Sequence, residues 1–181
     1  MWVGKDDEID GLDYSLIKLN EKEFDKKMCE EFPEIFQDRR KPMSETCMCW
    51  GFAVGKGWYP LLYKFCSQLQ AIFKLTGIFI IADQVKEKLG GLRFYKHSAS
   101  ENIKIDNSDI KIWTSIIDEL HYKAQNDSYR VCADCGKFMR HKQIHLDGWI
   151  YAQCSVCLKK NKNTPELANE VDKWMKENEE E

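Results

Sequence analysis

Two Cys-x-x-Cys pairs, Cys132/Cys135 and Cys154/Cys157, constrain this chain more than any other feature. Each pair sets two thiolates on a tight turn, from which both reach one ion at about 2.3 Å. Between the pairs lie the eighteen residues from Gly136 to Gln153. Roughly fifteen to twenty are what a short hairpin needs to bring two such knuckles together. Gly136 suits a turn that aims backbone amides at the sulfurs. The spacing predicts one zinc ion held by Cys132, Cys135, Cys154 and Cys157. Four thiolates fill a tetrahedral ion and leave no position for water, so this zinc is expected to be structural. His141 and His145 fall inside the hairpin and are not needed as ligands.

The remaining bulk properties set the context. A chain of 181 residues accommodates one domain with a small appended module, and 43% hydrophobic and 12% aromatic content fits a globular core rather than disorder. No apolar run is long enough for a bilayer, so no membrane association is expected. The acidic start, with Asp6, Asp7 and Glu8, lacks the basic and apolar segments of a signal peptide. The expected location is the cytoplasm. Thiols stay reduced there, so eight cysteines point to metal binding before disulfides. The net charge of −3 hides an uneven distribution: from Tyr129 to Asn163 there are seven Lys/Arg against two Asp, whereas from Thr164 onward seven acids face two Lys. A basic module with acidic flanks suits polyanions, with the tails competing for it or screening it. An ordinary solvated surface accounts for the same pattern.

Local signals divide the chain into an acidic arm (1–15), a body (16–127), the zinc module (128–163) and a final helix with an acidic end (164–181). Asn20 and Glu23 read as a capping box, with Leu19 stapling to Phe24 and Pro33 ending the helix. Residues 36–58 read as a glycine-punctuated loop. A second helix begins at Pro60, shows Leu61, Leu62, Phe65, Leu69, Ile72 and Phe73 on one face, and stops at Gly77. Ile78–Lys88 and Leu92–His97 read as a hairpin turning at Gly90-Gly91. A third helix runs from Asn107 to Gln125 with Ile110, Trp113, Ile117, Leu120 and Ala124 facing inward. The final helix starts with Thr164 as cap and carries Leu167, Val171 and Trp174 as a docking stripe. The expected fold class is α+β: a three-helix body with a small antiparallel hairpin sheet, plus a C-terminal zinc ribbon and closing helix.

Cys47, Cys49 and Cys66 form a candidate second metal cluster, against the simpler reading of Cys66 and Cys29 as small core residues. On the hairpin, Gln84, Lys86, Lys88 and Arg93 project long polar side chains that suit phosphate or acidic surfaces, with Glu87 as an internal partner for Arg93 or a lysine. An ordinary salt-bridged face is the alternative. In the zinc module the basic candidates are Arg130, Lys137, Arg140, Lys142, Lys159, Lys160 and Lys162. Catalytic motifs are missing: no His-x-Glu precedes a Pro-Cys-x-x-Cys, as zinc deaminases require. The stretch Ile144-His145-Leu146-Asp147-Gly148 is similar to a His-Asn-His nuclease site, but its hairpin is too short and Leu158 stands where the last histidine would be.

Several strings together resemble an uncharacterised protein family of tailed phages and prophages: Pro33 to Phe36, Thr46-Cys-Met-Cys-Trp-Gly51, Gly55-x-Gly-Trp-Tyr59, Gln84 to Tyr95 (QVKEKLGGLRFY) and the terminal Cys-x-x-Cys-Gly module. The match spans most of Phe32 to Cys157. It departs at Leu89, where relatives carry Phe, and at Cys157, where they often carry His, an equivalent zinc ligand. The resemblance implies a small accessory phage protein in the bacterial cytoplasm. Three functions follow. The first is a modulator or inhibitor of a host or antiviral-defence protein, with the aromatic loop around Trp50, Trp58 and Tyr59 as interface. The second is a nucleic-acid binder using the basic ribbon. The third is an enzyme, either a degenerate nuclease or a thiol chemistry at Cys47 and Cys49. The absence of a complete motif favours a non-enzyme.

Overall fold

The computed structural model describes residues 9–139, 143–162 and 165–178. Its first helix, α1 (Glu21–Glu31), begins as its sequence requires. The Asn20 side chain accepts from the Glu23 amide at 3.0 Å, and the Glu23 carboxylate takes the Asn20 amide at 2.9 Å. These two bonds satisfy amides that a helix start otherwise leaves open. The second helix, α2 (Tyr59–Thr76), carries Pro60 in its first turn and closes on Gly77 in the left-handed region. The third, α3 (Asn107–Ser128), buries Ile117 and Ala124 and packs Ile110, Trp113 and Leu120 on the core.

The segment between α1 and α2 is more ordered than a loop. It contains a two-residue strand, β1 (Phe52–Ala53), which runs parallel to β2 (Ile78–Lys88). Strand β2 pairs antiparallel with β3 (Gly91–Ser100), giving the sheet order β1-β2-β3. The hairpin turn lies one residue earlier than expected. Lys88 pairs with Gly91, and the loop is Leu89-Gly90, both at positive φ (53° and 67°). A two-residue turn of the primed kind demands that at both positions. Gly91 serves close packing instead: a Cβ there would lie 2.2 Å from the Tyr129 ring.

One face of the sheet carries Val85, Leu92 and Phe94 into the core between the helices. Aromatic side chains tile this core: Phe24 stacks on Tyr59 at 3.7 Å, and Phe52 meets both Phe24 and Phe36 edge-on. Strand β3 is an edge strand, and its buried Leu92 amide donates to the Ser128 hydroxyl at 2.9 Å. That bond satisfies a donor which a sheet edge would otherwise leave unpaired in the interior.

The C-terminal third forms a small hairpin of β4 (Ile144–Leu146) and β5 (Trp149–Tyr151), then α4 (Ser155–Lys162) and α5 (Pro165–Asn178). The stripe on α5 docks as expected: Val171 is fully buried with Ile144 and Leu158, and Leu167 and Trp174 pack around them. The expected cap at Thr164 lies outside the described residues. The fold is α+β, with a C-terminal cysteine cluster and a closing helix. Helix α4 is a departure. The second cysteine pair sits at the start of a helix rather than on a second knuckle, so the module is a knuckle, a hairpin and a helix.

Candidate metal centre

Cys132 and Cys135 sit on a turn stapled by its own backbone. The Cys132 amide donates to the Lys137 carbonyl at 2.9 Å, the Gly136 amide to the Cys132 carbonyl at 2.9 Å, and Val131 bridges Phe138. Cys154 directly precedes α4 and Cys157 lies in its first turn. All four sulfurs fall within 4.8 Å of one another, and Cys135 and Cys154 are 3.8 Å apart. A tetrahedral ion with bonds of about 2.3 Å needs its thiolates about 3.8 Å apart. The donor set therefore fits a metal ion without rearrangement.

Amides converge on the same sulfurs. Cys132 accepts from the Cys154 amide at 3.2 Å and from those of Asp134 and Cys135, and Cys154 accepts from the Cys157 amide. Such donors favour the thiolate form. Crowding works against it. Cys132 is pushed well above the ordinary thiol value, first by its hydrogen bond with Cys154 and then by burial. Cys157 is pushed up to about 12, first by burial and then by its hydrogen bond with Cys135. The Cys132 hydrogen bond draws Cys154 downward. Four thiols this close cannot all ionise alone, whereas a divalent cation among them would compensate the charges. The surrounding packing points the same way. The buried residues around the site are Cys132, Met139 and Cys154, and those of the adjoining cluster are Ile144, Leu158 and Val171. Cores this small need a staple.

The knuckle is built into the body. The Gly57 amide donates to the Ala133 carbonyl at 2.7 Å, and the Trp58 indole N–H donates to the Val131 carbonyl at 2.7 Å. A Cβ at Gly57 would lie 2.1 Å from the Cys132 carbonyl oxygen, and one at Gly55 would lie 2.1 Å from that of Ala133. The two glycines therefore permit backbone-to-backbone contact. On the far side, the Gln143 amide donates to the Leu89 and Gly90 carbonyls, tying the module to the hairpin turn.

Other expected site residues disperse. Among the described residues, one group of three or more potential ligands converges, and Cys47, Cys49 and Cys66 are not in it. Cys66 is fully buried in the core, which pushes its thiol far up, and Cys47 is exposed. Arg39 organises that loop instead, binding Asp25 at 2.6 Å and the Cys49 carbonyl at 2.9 Å. Trp58 and Tyr59 were expected as interface anchors, but at 0% and 2% exposure they belong to the core; Trp50 is exposed at 67%. Lys86 lies over the Tyr95 ring and half-buried Arg93 over the Tyr129 ring, so two hairpin cations pack on aromatics while Lys88 is exposed. Glu87 pairs with no cation among the described residues; it accepts from the Gly90 amide and braces the turn. In the metal module Arg130, Lys137 and Lys160 are exposed, and Lys159 is tied to Asp172 of α5. Arg140 and Lys142 lie outside the described residues, as does the side chain of Lys162. Leu158, at the position a nuclease would give to histidine, is fully buried. No described helix is long and apolar enough to cross a membrane.

No protein-family model, no curated protein and no solved structure gives a significant match to this chain.

Proposed function

We propose that this chain is a zinc-stapled binding protein with no catalytic chemistry of its own. On this reading it is encoded by a tailed phage or prophage and modulates a host or antiviral-defence protein in the bacterial cytoplasm. The observation that carries it is the closed cysteine site. Four thiolates complete a tetrahedral ion, and the knuckle's backbone is pressed against Gly55 and Gly57. Zinc is the ion this all-sulfur tetrahedral set favours. An ion with all four positions taken by thiolates is a staple, which leaves function to the surface. Trp50, Leu89, Trp149 and Val156 all stand at 63% exposure or more, and exposed aromatic side chains are typical anchors for a protein partner. The phage context and the class of target rest on the resemblance of the Thr46–Gly51 and Gln84–Tyr95 strings.

The test is an affinity pull-down of the tagged protein from bacterial lysate, with and without nuclease. One stoichiometric host protein, retained after nuclease and lost in Trp149→Ala or Trp50→Ala, supports the reading. Recovery of no protein at all would sink it. A second reading, nucleic-acid binding by the module, is favoured by Arg130, Lys137 and Lys160, which are exposed and pair with no acid among the described residues. It predicts nucleic acid in the pull-down, removed by nuclease and by raised salt.

A further inference from the structure

We propose that Cys135 is a peroxide-reactive thiolate with Cys154 as its resolving partner, so that a hydroperoxide exchanges the metal staple for a disulfide between knuckle and helix. The proposal rests on the staple reading above and adds to it a modification site and a reagent class. The four sulfurs differ in access. Cys132 is 0% and Cys154 8% exposed, Cys157 is half-buried, and Cys135 is exposed. Coordination keeps a thiol deprotonated, and an accessible thiolate is the species that peroxides oxidise. A small oxidant arriving from solvent therefore meets Cys135 first.

The second sulfur is already in place. The Cys135 Sγ lies 3.8 Å from that of Cys154, a contact across the two pairs rather than within one. Cys154 is buried, so its sulfur is reached from within the cluster and not from solvent. Both sides of this contact are anchored. The knuckle is held to the body by the Gly57 amide bond to the Ala133 carbonyl, and α4 is held by Leu158 in its apolar cluster. The Asn161 side chain of α4 also donates to the Asp134 carboxylate at 2.7 Å, which fastens the helix to the residue beside Cys135. Cys132 is engaged elsewhere, accepting from the Cys154 amide at 3.2 Å and from those of Asp134 and Cys135.

The exchange balances as one two-electron oxidation. The Cys135 sulfur attacks the peroxide, an S–O bond forms, the O–O bond breaks, and the second oxygen leaves as water after taking a solvent proton. The Cys154 thiolate then attacks the Cys135 sulfur. An S–S bond forms, the S–O bond breaks, and that oxygen also leaves as water with a solvent proton. Two of four ligands are then lost, which releases the ion, and Cys132 and Cys157 take up protons. The oxidised chain still has its knuckle joined to α4 by a covalent bond. A chelated, reduced chain keeps only the Asn161–Asp134 contact there.

The test treats the full zinc-loaded chain with hydrogen peroxide. It reads zinc release with a chromogenic chelator and maps disulfides by peptide mass spectrometry after thiol blocking. The expected result is one ion released per Cys135–Cys154 disulfide, reversed by dithiothreitol with added zinc. Cys135→His supplies an equivalent ligand without the thiol, and should hold the ion but release it at least about tenfold more slowly. Cys157→His keeps both reacting sulfurs and should release at the parent's rate. The Gly57 amide should exchange slowly in the oxidised chain and fast in the chelated, reduced one. A disulfide within either pair or from Cys135 to Cys157, parent-like release by Cys135→His, or no release overturns the proposal. The map on the parent decides the pairing whatever ion the histidine variants hold. Metal content before peroxide separates the two failures: a chain that binds no ion sinks the staple reading, while the disulfide map of the same sample still decides whether Cys135 pairs with Cys154.

Discussion

Gly57→Ala is the sharpest perturbation of the seam between body and metal knuckle. The added methyl would lie 2.1 Å from the Cys132 carbonyl oxygen, 2.6 Å from the Gly136 nitrogen and 2.7 Å from the Ala133 carbonyl carbon. All three are backbone atoms of the knuckle, so no side chain can swing aside. Either the loop or the knuckle must retreat by more than an ångström. Retreat on that scale breaks the Gly57 amide bond to Ala133 and the Trp58 indole bond to Val131, each 2.7 Å long. Overpacking alone costs about 1–3 kcal/mol, and each buried partner left unsatisfied adds about 1–3 kcal/mol. A total of roughly 3–9 kcal/mol would consume a large share of a stability of about 5–15 kcal/mol. At about 2–4 °C per kcal/mol for a chain of this size, the midpoint should fall by roughly 6–36 °C.

Thermal melting of the metal-loaded protein, with metal content measured in parallel, reads this out. Gly148→Ala is the matched control. It has positive φ but nothing within 4 Å of a Cβ, so it should cost only about 1 kcal/mol of backbone strain. After chelation the knuckle is no longer held in place, and the penalty of Gly57→Ala should shrink, a coupling that a double-perturbation cycle measures. A midpoint within about 3 °C of the parent, with full metal content, would refute the reasoning from close approach.

Three further outcomes follow from the same structure. Cys132→Ser, or chelation of the parent, should release one ion per chain and unfold the module while leaving α1–α3 helical, checked by metal analysis and circular dichroism. Acidification should destabilise the fold from about pH 6.5 downward through His121: burial first, and then Lys96, holds its imidazole below the ordinary value of 6.5, with Asp118 opposing and Arg93 adding to the effect. The unfolded chain then takes the proton more readily, so stability is present above that value and is lost as pH falls. His121→Leu should flatten the acid limb of a denaturation series. Ser128→Ala strands the buried Leu92 amide and should cost about 1–3 kcal/mol, with faster hydrogen exchange at Leu92.

What the chain revealed in advance was local. The α1 start rests on Asn20 and Glu23, three positions apart, and the α2 limits on Pro60 and Gly77, so neighbouring residues sufficed. The cysteine spacing worked for the same reason: ligand chemistry restricts geometry whatever the surrounding fold. The misses depend on distant partners. Strand β1 is two residues long and exists because Phe52 finds Val85 across the fold. Helix α4 has no apolar periodicity to announce it, since Leu158 is its one fully buried side chain among the described residues. Trp58 and Tyr59 look identical in sequence whether they anchor a partner or fill a core.

The glycines carry the deeper lesson. Gly55 and Gly57 punctuate what reads as a flexible loop, and Gly91 reads as a turn residue. In the fold each marks a place where another segment's backbone or ring comes within van der Waals reach. The strings that made the chain resemble a family lie largely along these seams: Arg39 grips the Cys49 carbonyl, Gly57 and Trp58 grip the knuckle, and the Leu89-Gly90 turn is held by Gln143. A motif spent on docking says how the protein is assembled and little about what it binds. The informative residues for function are then the ones assembly does not use.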